Sequence, residues 1–136
     1  MTTQFKKVIL DIANGLETTQ ASPEPAINAE AIRPHQYLPD HGYFDTVKTF
    51  LEQKFNLSPV MALEYLEYES IVFISFYVQE NELANYLFMI SAEGKLLMKE
   101  KLDEQLKGIG LGTFFILSSC VIFVKNKGEL VSYKIV

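Results

Sequence analysis

Both histidines of the chain, His35 and His41, stand in one short stretch together with Asp40. Imidazole and carboxylate groups bind metal ions and act as general bases, so these residues could form a metal site or support acid–base catalysis. Their H-x4-D-H spacing matches no common metal-binding pattern, and three residues of one loop need not converge. We interpret them as solvated loop residues. A small-ligand or metal-binding enzyme that uses them is an alternative hypothesis.

Three glutamates, Glu64, Glu67 and Glu69, form the closest acidic group in the sequence. They could bind a cation or act as an acid–base pair, and an enzyme would need Glu64 or Glu67 to converge with the histidines. On a β-strand, Glu67 and Glu69 share one face and Glu64 lies on the other. This alternation favours separate solvated side chains, so we predict no catalytic residue, no bound metal and no cofactor.

Gly108, Gly110 and Gly112 form a G-x-G-x-G series that partly resembles a phosphate-binding loop. A dinucleotide-binding fingerprint must follow a strand and open a helix, and its spacing is different. Here the glycines precede an apolar run that is typical of a strand. We therefore predict that they let the chain enter a crowded strand, with no role in phosphate binding.

The composition excludes several classes of protein. A net charge of −5 without a basic cluster argues against nucleic-acid binding, because phosphates require a clustered basic surface. The single cysteine, Cys120, excludes an intrachain disulfide; it has apolar neighbours and no adjacent basic residue, which predicts a small buried side chain. The most apolar window, Leu111–Val124, is shorter than the roughly 20 residues that span a bilayer. We expect a soluble cytoplasmic protein without a membrane partner.

Three apolar runs near the C-terminus predict strands: Thr113–Leu117, Val121–Val124 and Leu130–Val136. Turn-forming residues separate them, namely Ser118-Ser119 and Asn126-Lys127-Gly128. Short runs of β-branched and aromatic residues between such turns are typical of antiparallel hairpins. The last run has no successor in the sequence. We therefore expect it to pair with the N-terminal hairpin or with a second subunit.

The rest of the chain divides by composition into segments of one domain, residues 1–136. Residues 1–20 predict a hairpin with Asn14-Gly15 at its tip. Residues 21–42 are rich in proline and predict a long surface loop. Residues 43–56 predict an amphipathic helix capped by Asp45, and residues 57–136 predict antiparallel strands.

Residues 60–102 can form four consecutive antiparallel strands. Their first part, Leu57–Ser70, has helix-favouring residues, but its tyrosines and the need for a neighbouring strand favour a strand. Ile71–Val78 is apolar on both faces, which is typical of a central strand. The predicted fold is mostly β, with antiparallel meanders that resemble part of a β-propeller and one short helix.

The chain resembles the C-terminal half of an uncharacterised bacterial family that carries a domain of unknown function. The resemblance covers about residues 37–136. It is carried by seven segments, of which Gly108–Phe115 is the most specific: Gly42-Tyr43-Phe44, Val47–Leu51, Glu64-Tyr65-Leu66, Leu83–Leu87, Gly108–Phe115, Ile122–Lys125 and Glu129-Leu130. The resemblance implies propeller-like β repeats of the WD40 or PQQ kind, and it implies no catalytic residues.

The most direct interpretation is a non-enzymatic binding or scaffold module. Open sheet edges would favour a homodimer or a protein partner that covers them. A second interpretation is the enzyme that uses the stretch from His35 to His41. In a third interpretation, the chain is a fragment that completes a propeller with a separate partner chain.

Overall fold

The protein is described here from a computed structural model, which describes residues 5–11 and 30–135. In these ranges it forms nine strands and one helix. They are β1 Phe5–Asp11, β2 His35–Tyr37, α1 Gly42–Phe55, β3 Val60–Tyr68, β4 Ile71–Gln79, β5 Leu83–Ser91, β6 Leu96–Leu106, β7 Phe114–Leu117, β8 Cys120–Lys125 and β9 Glu129–Ile135. All paired strands are antiparallel. The mostly β fold of antiparallel meanders with one helix is confirmed.

The chain divides into two compact units, and the larger one is Pro34–Thr113. Its five strands pair in the order β2-β3-β4-β5-β6, so each strand lies beside its neighbour in the sequence. Helix α1 packs on one face of this sheet through Phe44, Val47 and Leu51, which are buried. On the sheet, the cluster continues through buried side chains such as Phe76 and Phe88.

Helix α1 begins earlier than the sequence predicted. The N-cap is His41, whose Nδ1 accepts a hydrogen bond from the backbone N–H of Tyr43 at 3.1 Å. The prediction that Asp45 caps the helix is wrong: Asp45 lies in the first turn, where a carboxylate is favoured by the helix dipole. The helix ends at Asn56, which adopts a left-handed conformation with φ 59°.

The prediction that the segment Leu57–Ser70 contains a strand is confirmed, because strand β3 covers Val60–Tyr68. Residues Val60–Tyr68 pair with β4 despite their helix-favouring composition, and the register shifts between Val60 and Leu63. The prediction of a continuous loop over residues 21–42 is wrong at His35–Tyr37, which form β2 and pair with β3. Three residues are too few for a pattern of period two to be recognised, so pairing with β3 determines this strand.

The second unit contains the sheet β1-β9-β8-β7. Strand β1 pairs with β9 from Phe5↔Ile135 to Asp11↔Glu129, which confirms that an N-terminal strand pairs with the last strand. The remainder of the predicted hairpin, including Asn14-Gly15, lies outside the described residues. The turns at Ser118-Ser119 and Asn126-Lys127 are confirmed.

Cys120 is half-exposed at the start of β8, so the prediction of a buried side chain is wrong; a position beside a hairpin turn leaves its thiol partly uncovered. Across residues 5–11 and 30–135, no helix is long and apolar enough to cross a membrane.

Candidate functional site

The two faces of the five-stranded sheet separate His35 from Glu64, whereas Glu67, the other glutamate of the enzyme hypothesis, shares the face of His35. Side chains alternate along a strand, and directly paired residues share a face. Gln36 pairs with Glu64, whereas His35 pairs with Tyr65. His35 therefore lies on the face that carries α1, and Glu64 lies on the opposite face. The convergence of His35 with Glu64 does not occur.

The three candidate ligands lie at the surface. His35, Asp40 and His41 are all exposed, and the Nδ1 of His41 is used as the helix cap. Both imidazoles contact the ring of Tyr37, with centroid distances of 6.3 Å for His35 and 4.8 Å for His41. Within the described part of the chain, no three His, Cys, Asp or Glu residues are grouped so as to hold a metal ion. These residues form an aromatic surface cluster with Tyr43.

Glu64 is the most buried of the acidic candidates, with 1% of its surface exposed. Its carboxylate accepts hydrogen bonds from the backbone N–H groups of Gly112 at 2.6 Å and Thr113 at 2.8 Å. It also accepts one from the hydroxyl of Thr113 at 2.5 Å. Three donors therefore compensate for the desolvation of this carboxylate.

The network continues across the sheet through Ser75 and Asn85, which are both buried. The hydroxyls of Thr113 and Ser75 lie 2.6 Å apart, and the amide of Asn85 donates to Ser75 at 3.0 Å and to the carbonyl of Phe76 at 3.0 Å. Each hydroxyl has one proton. Because Thr113 donates its proton to Glu64, Ser75 must donate to Thr113. The hydrogen bonds that link Asn85, Ser75 and Thr113 therefore all run towards the carboxylate of Glu64.

The glycine-rich segment before β7 docks through its backbone. The N–H of Gly110 donates to the phenol of Tyr77 at 2.7 Å, and the side-chain amide of Gln36 donates to the carbonyl of Gly110 at 3.1 Å. Burial, opposed in part by the Gly110 hydrogen bond, raises the pKa of Tyr77 above its ordinary value. Gly112 has φ +70°, which favours glycine. The N–H groups of this segment do bind an anion, and that anion is the chain's own Glu64.

This buried network has a structural role. No buried side-chain nitrogen or oxygen among the described residues lacks a hydrogen-bond partner. A general base must be able to reach its substrate, but the carboxylate of Glu64 is buried and already accepts three hydrogen bonds from Gly112 and Thr113. Its contacts instead hold the segment of Gly112 and Thr113 against β3 and β4.

A separate groove lies on the other face, between α1 and one end of the sheet. Its volume is about 290 Å³. Apolar side chains form most of its lining, in particular Val47, Phe50, Val72, Ile74 and Ile90. We call this feature the helix groove. Its floor is firm, because Val47, Ile74 and Ile90 belong to the buried core of the unit.

The phenol of Tyr65 is the main polar group of the helix groove. It donates a hydrogen bond of 2.6 Å to Oε2 of Glu67, whose side chain is exposed. Burial, and next the hydrogen bond to Glu67, raise the pKa of Tyr65 above its ordinary value. Because the single phenol proton is donated to Glu67, the Tyr65 oxygen can offer a ligand only an acceptor lone pair.

The helix groove joins a second, open depression of about 500 Å³, because Val72 and Ala92 line both. Glu67 and Glu69 line this depression, which we call the acidic depression. The sequence indicated the apolar stripe of α1 and the acidic residues separately. Neither pattern predicted that part of the apolar face of α1 would stay uncovered near Glu67 and Glu69. The position of the uncovered part depends on where the helix crosses the sheet.

Comparisons of the chain with protein-family models, with curated proteins and with solved structures find no match. The resemblance to a propeller-like family stays a prediction. A functional assignment must therefore rest on the geometry of the described residues.

Proposed function

We propose that this chain is a non-enzymatic binding module, and that the helix groove receives an apolar side chain of a protein partner. The observation that carries this proposal is an apolar groove on the helix–sheet face, whose main polar group, the phenol of Tyr65, is held in place by its hydrogen bond to Glu67. Specific binding sites typically combine such a lining with few polar groups. The groove is at the small end of the range for ligand sites, so one anchoring side chain fits it better than a large cofactor.

One edge of the five-stranded sheet is poorly suited to binding a partner by strand addition. Strand β6 forms one edge of the five-stranded sheet and carries Lys99, Lys101 and Glu104. Lys101 bonds to Glu104 at 2.8 Å and lies 3.6 Å from Glu80. Charged residues on an edge strand discourage pairing with another chain.

A neutral probe tests the proposal. N-acetylphenylalanine amide should shift amide NMR signals around Phe50, Val72 and Ile90, and the shifts should saturate. Ala92→Phe, which places a ring at the exposed rim of the groove, should abolish these shifts. The matched control is Asn81→Phe, at an exposed turn outside the groove, and it should leave binding unchanged. Shifts that are absent, or that persist in Ala92→Phe, would refute the proposal.

We also propose, in keeping with the propeller resemblance, that copies of the chain associate. The supporting observation is the pairing of β1 with β9, since propellers often complete a sheet with a strand from the other end of the chain. Rings have typically 4–8 blades, so a chain with two sheets would need about two to four copies. Sedimentation velocity should then show a dimer to tetramer. A monomer at micromolar concentration would refute the association.

A further inference from the structure

We infer that the occupant of the helix groove is a peptide segment in which an apolar residue stands next to a lysine or arginine. This inference rests on the proposed function of the groove and specifies its partner. The apolar residue would fill the helix groove, and the neighbouring cation would reach the acidic depression beside it.

The positions of the carboxylates support this choice. Tyr65 and Glu67 are two residues apart on β3, so they share the sheet face that carries α1 and the groove. The phenol of Tyr65 bonds only Oε2 of Glu67 and thereby fixes this exposed carboxylate beside the groove. Glu69 follows in the β3–β4 turn, and both carboxylates line the acidic depression. A cation placed there would meet two negative charges on the side where the groove opens.

A lysine also borders the helix groove. Lys54 lies in the last turn of α1, and its Cε is 3.7 Å from the position that a Cβ on Gly94, which lines the groove, would occupy. Glu93 is exposed next to Gly94, and this turn lies at the same end of the sheet as Glu69, because Ile71 pairs with Ser91. The basic residue of the partner is therefore expected to face Glu67 and Glu69, and charge complementarity of this kind contributes to specificity.

Two matched dipeptides test the inference. Acetyl-Phe-Lys-amide should bind about five- to tenfold more tightly than acetyl-Phe-norleucine-amide at low salt, as measured by amide NMR titration. The difference should shrink as salt is added, because the carboxylates are exposed. Glu67→Gln should remove most of it without changing the affinity for the norleucine peptide. Glu82→Gln, an exposed carboxylate at the other end of the sheet, is the control and should preserve the difference.

The outcomes separate this inference from the proposed function. Equal binding of both dipeptides within the groove would overturn the basic partner and leave the groove proposal in place. Failure of both to bind would overturn the groove proposal itself. Acetyl-lysine-amide that binds as tightly as acetyl-Phe-Lys-amide would show a simple cation site and would also overturn the inference. An unchanged NMR spectrum of Glu67→Gln outside the groove verifies that the variant is folded.

Discussion

Replacing Glu64 by glutamine should destabilise the protein by about 3 kcal/mol, although the two side chains have nearly the same shape. The carboxylate accepts three hydrogen bonds, from two N–H groups and one hydroxyl. The amide of glutamine has one oxygen, so its NH₂ group must face at least one N–H donor of Gly112 or Thr113. One lost bond to a charged group costs about 1.5–3 kcal/mol, and the remaining bonds lose roughly half their strength without the charge.

This cost is large beside the usual stability of a domain, about 5–15 kcal/mol. Urea denaturation of Glu64→Gln, followed by circular dichroism, measures it. Glu67→Gln is the matched control: Glu67 is on the same strand but exposed, with one phenol donor, so its replacement should cost less than about 1 kcal/mol.

A second substitution tests the direction of the hydrogen-bond chain. Thr113→Val removes one donor to Glu64 and the acceptor of the Ser75 hydroxyl, which should cost about 2 kcal/mol. The double variant that combines Glu64→Gln with Thr113→Val should lose about 1 kcal/mol less stability than the sum of the two single losses. The reason is that the two side chains share one hydrogen bond, which can be lost only once. If Glu64→Gln costs no more than Glu67→Gln, or if the two losses simply add, the account of the network is wrong.

Three other substitutions or conditions test further parts of the structure. Tyr65 has a raised pKa in the folded protein, so its stabilisation should be complete below about pH 10 and decline above it; Tyr65→Phe should lessen this alkaline loss, measured by urea denaturation against pH and by tyrosinate absorbance. Ser118→Asn with Ser119→Gly should stabilise the β7–β8 hairpin by about 1 kcal/mol, since both residues have positive φ; unchanged denaturation would contradict this. His41→Ala should cost about 1 kcal/mol and His41→Asn almost nothing, because capping needs only an acceptor; an equal loss in both would refute the capping role.

Short-range chemistry made the hairpins predictable. Residue pairs such as Ser118-Ser119 and Asn126-Lys127 interrupt apolar runs, and the structure places each pair in a left-handed turn between two strands. The pairing of β1 with β9 is one of the two alternatives predicted for the last strand, the N-terminal hairpin or a second subunit, and the structure shows the first. In both cases the pattern determines the structure because the alternatives leave backbone groups unpaired.

Contacts between distant residues were not predictable in the same way. Strand β2 is a strand because β3 offers it hydrogen bonds, not because its three residues favour one. The cap at His41 depends on a ring nitrogen that happens to reach an N–H group two residues on. The burial of Glu64 depends on Thr113, which is 49 residues away. No local pattern around Glu64 distinguishes it from the exposed Glu67.

The glycine-rich segment shows why a motif alone could not decide its function. Glycines expose backbone N–H groups, and such groups bind anions whether the anion is a phosphate or a carboxylate of the same chain. Glycines that precede a strand, with no helix after them, predict no phosphate site and are expected to let the chain enter a crowded strand. Gly112 does adopt a left-handed conformation, but its N–H and that of Thr113 bind Glu64. An external anion would have to displace a buried carboxylate that already satisfies these donors, so the N–H groups of this segment stabilise the fold through Glu64.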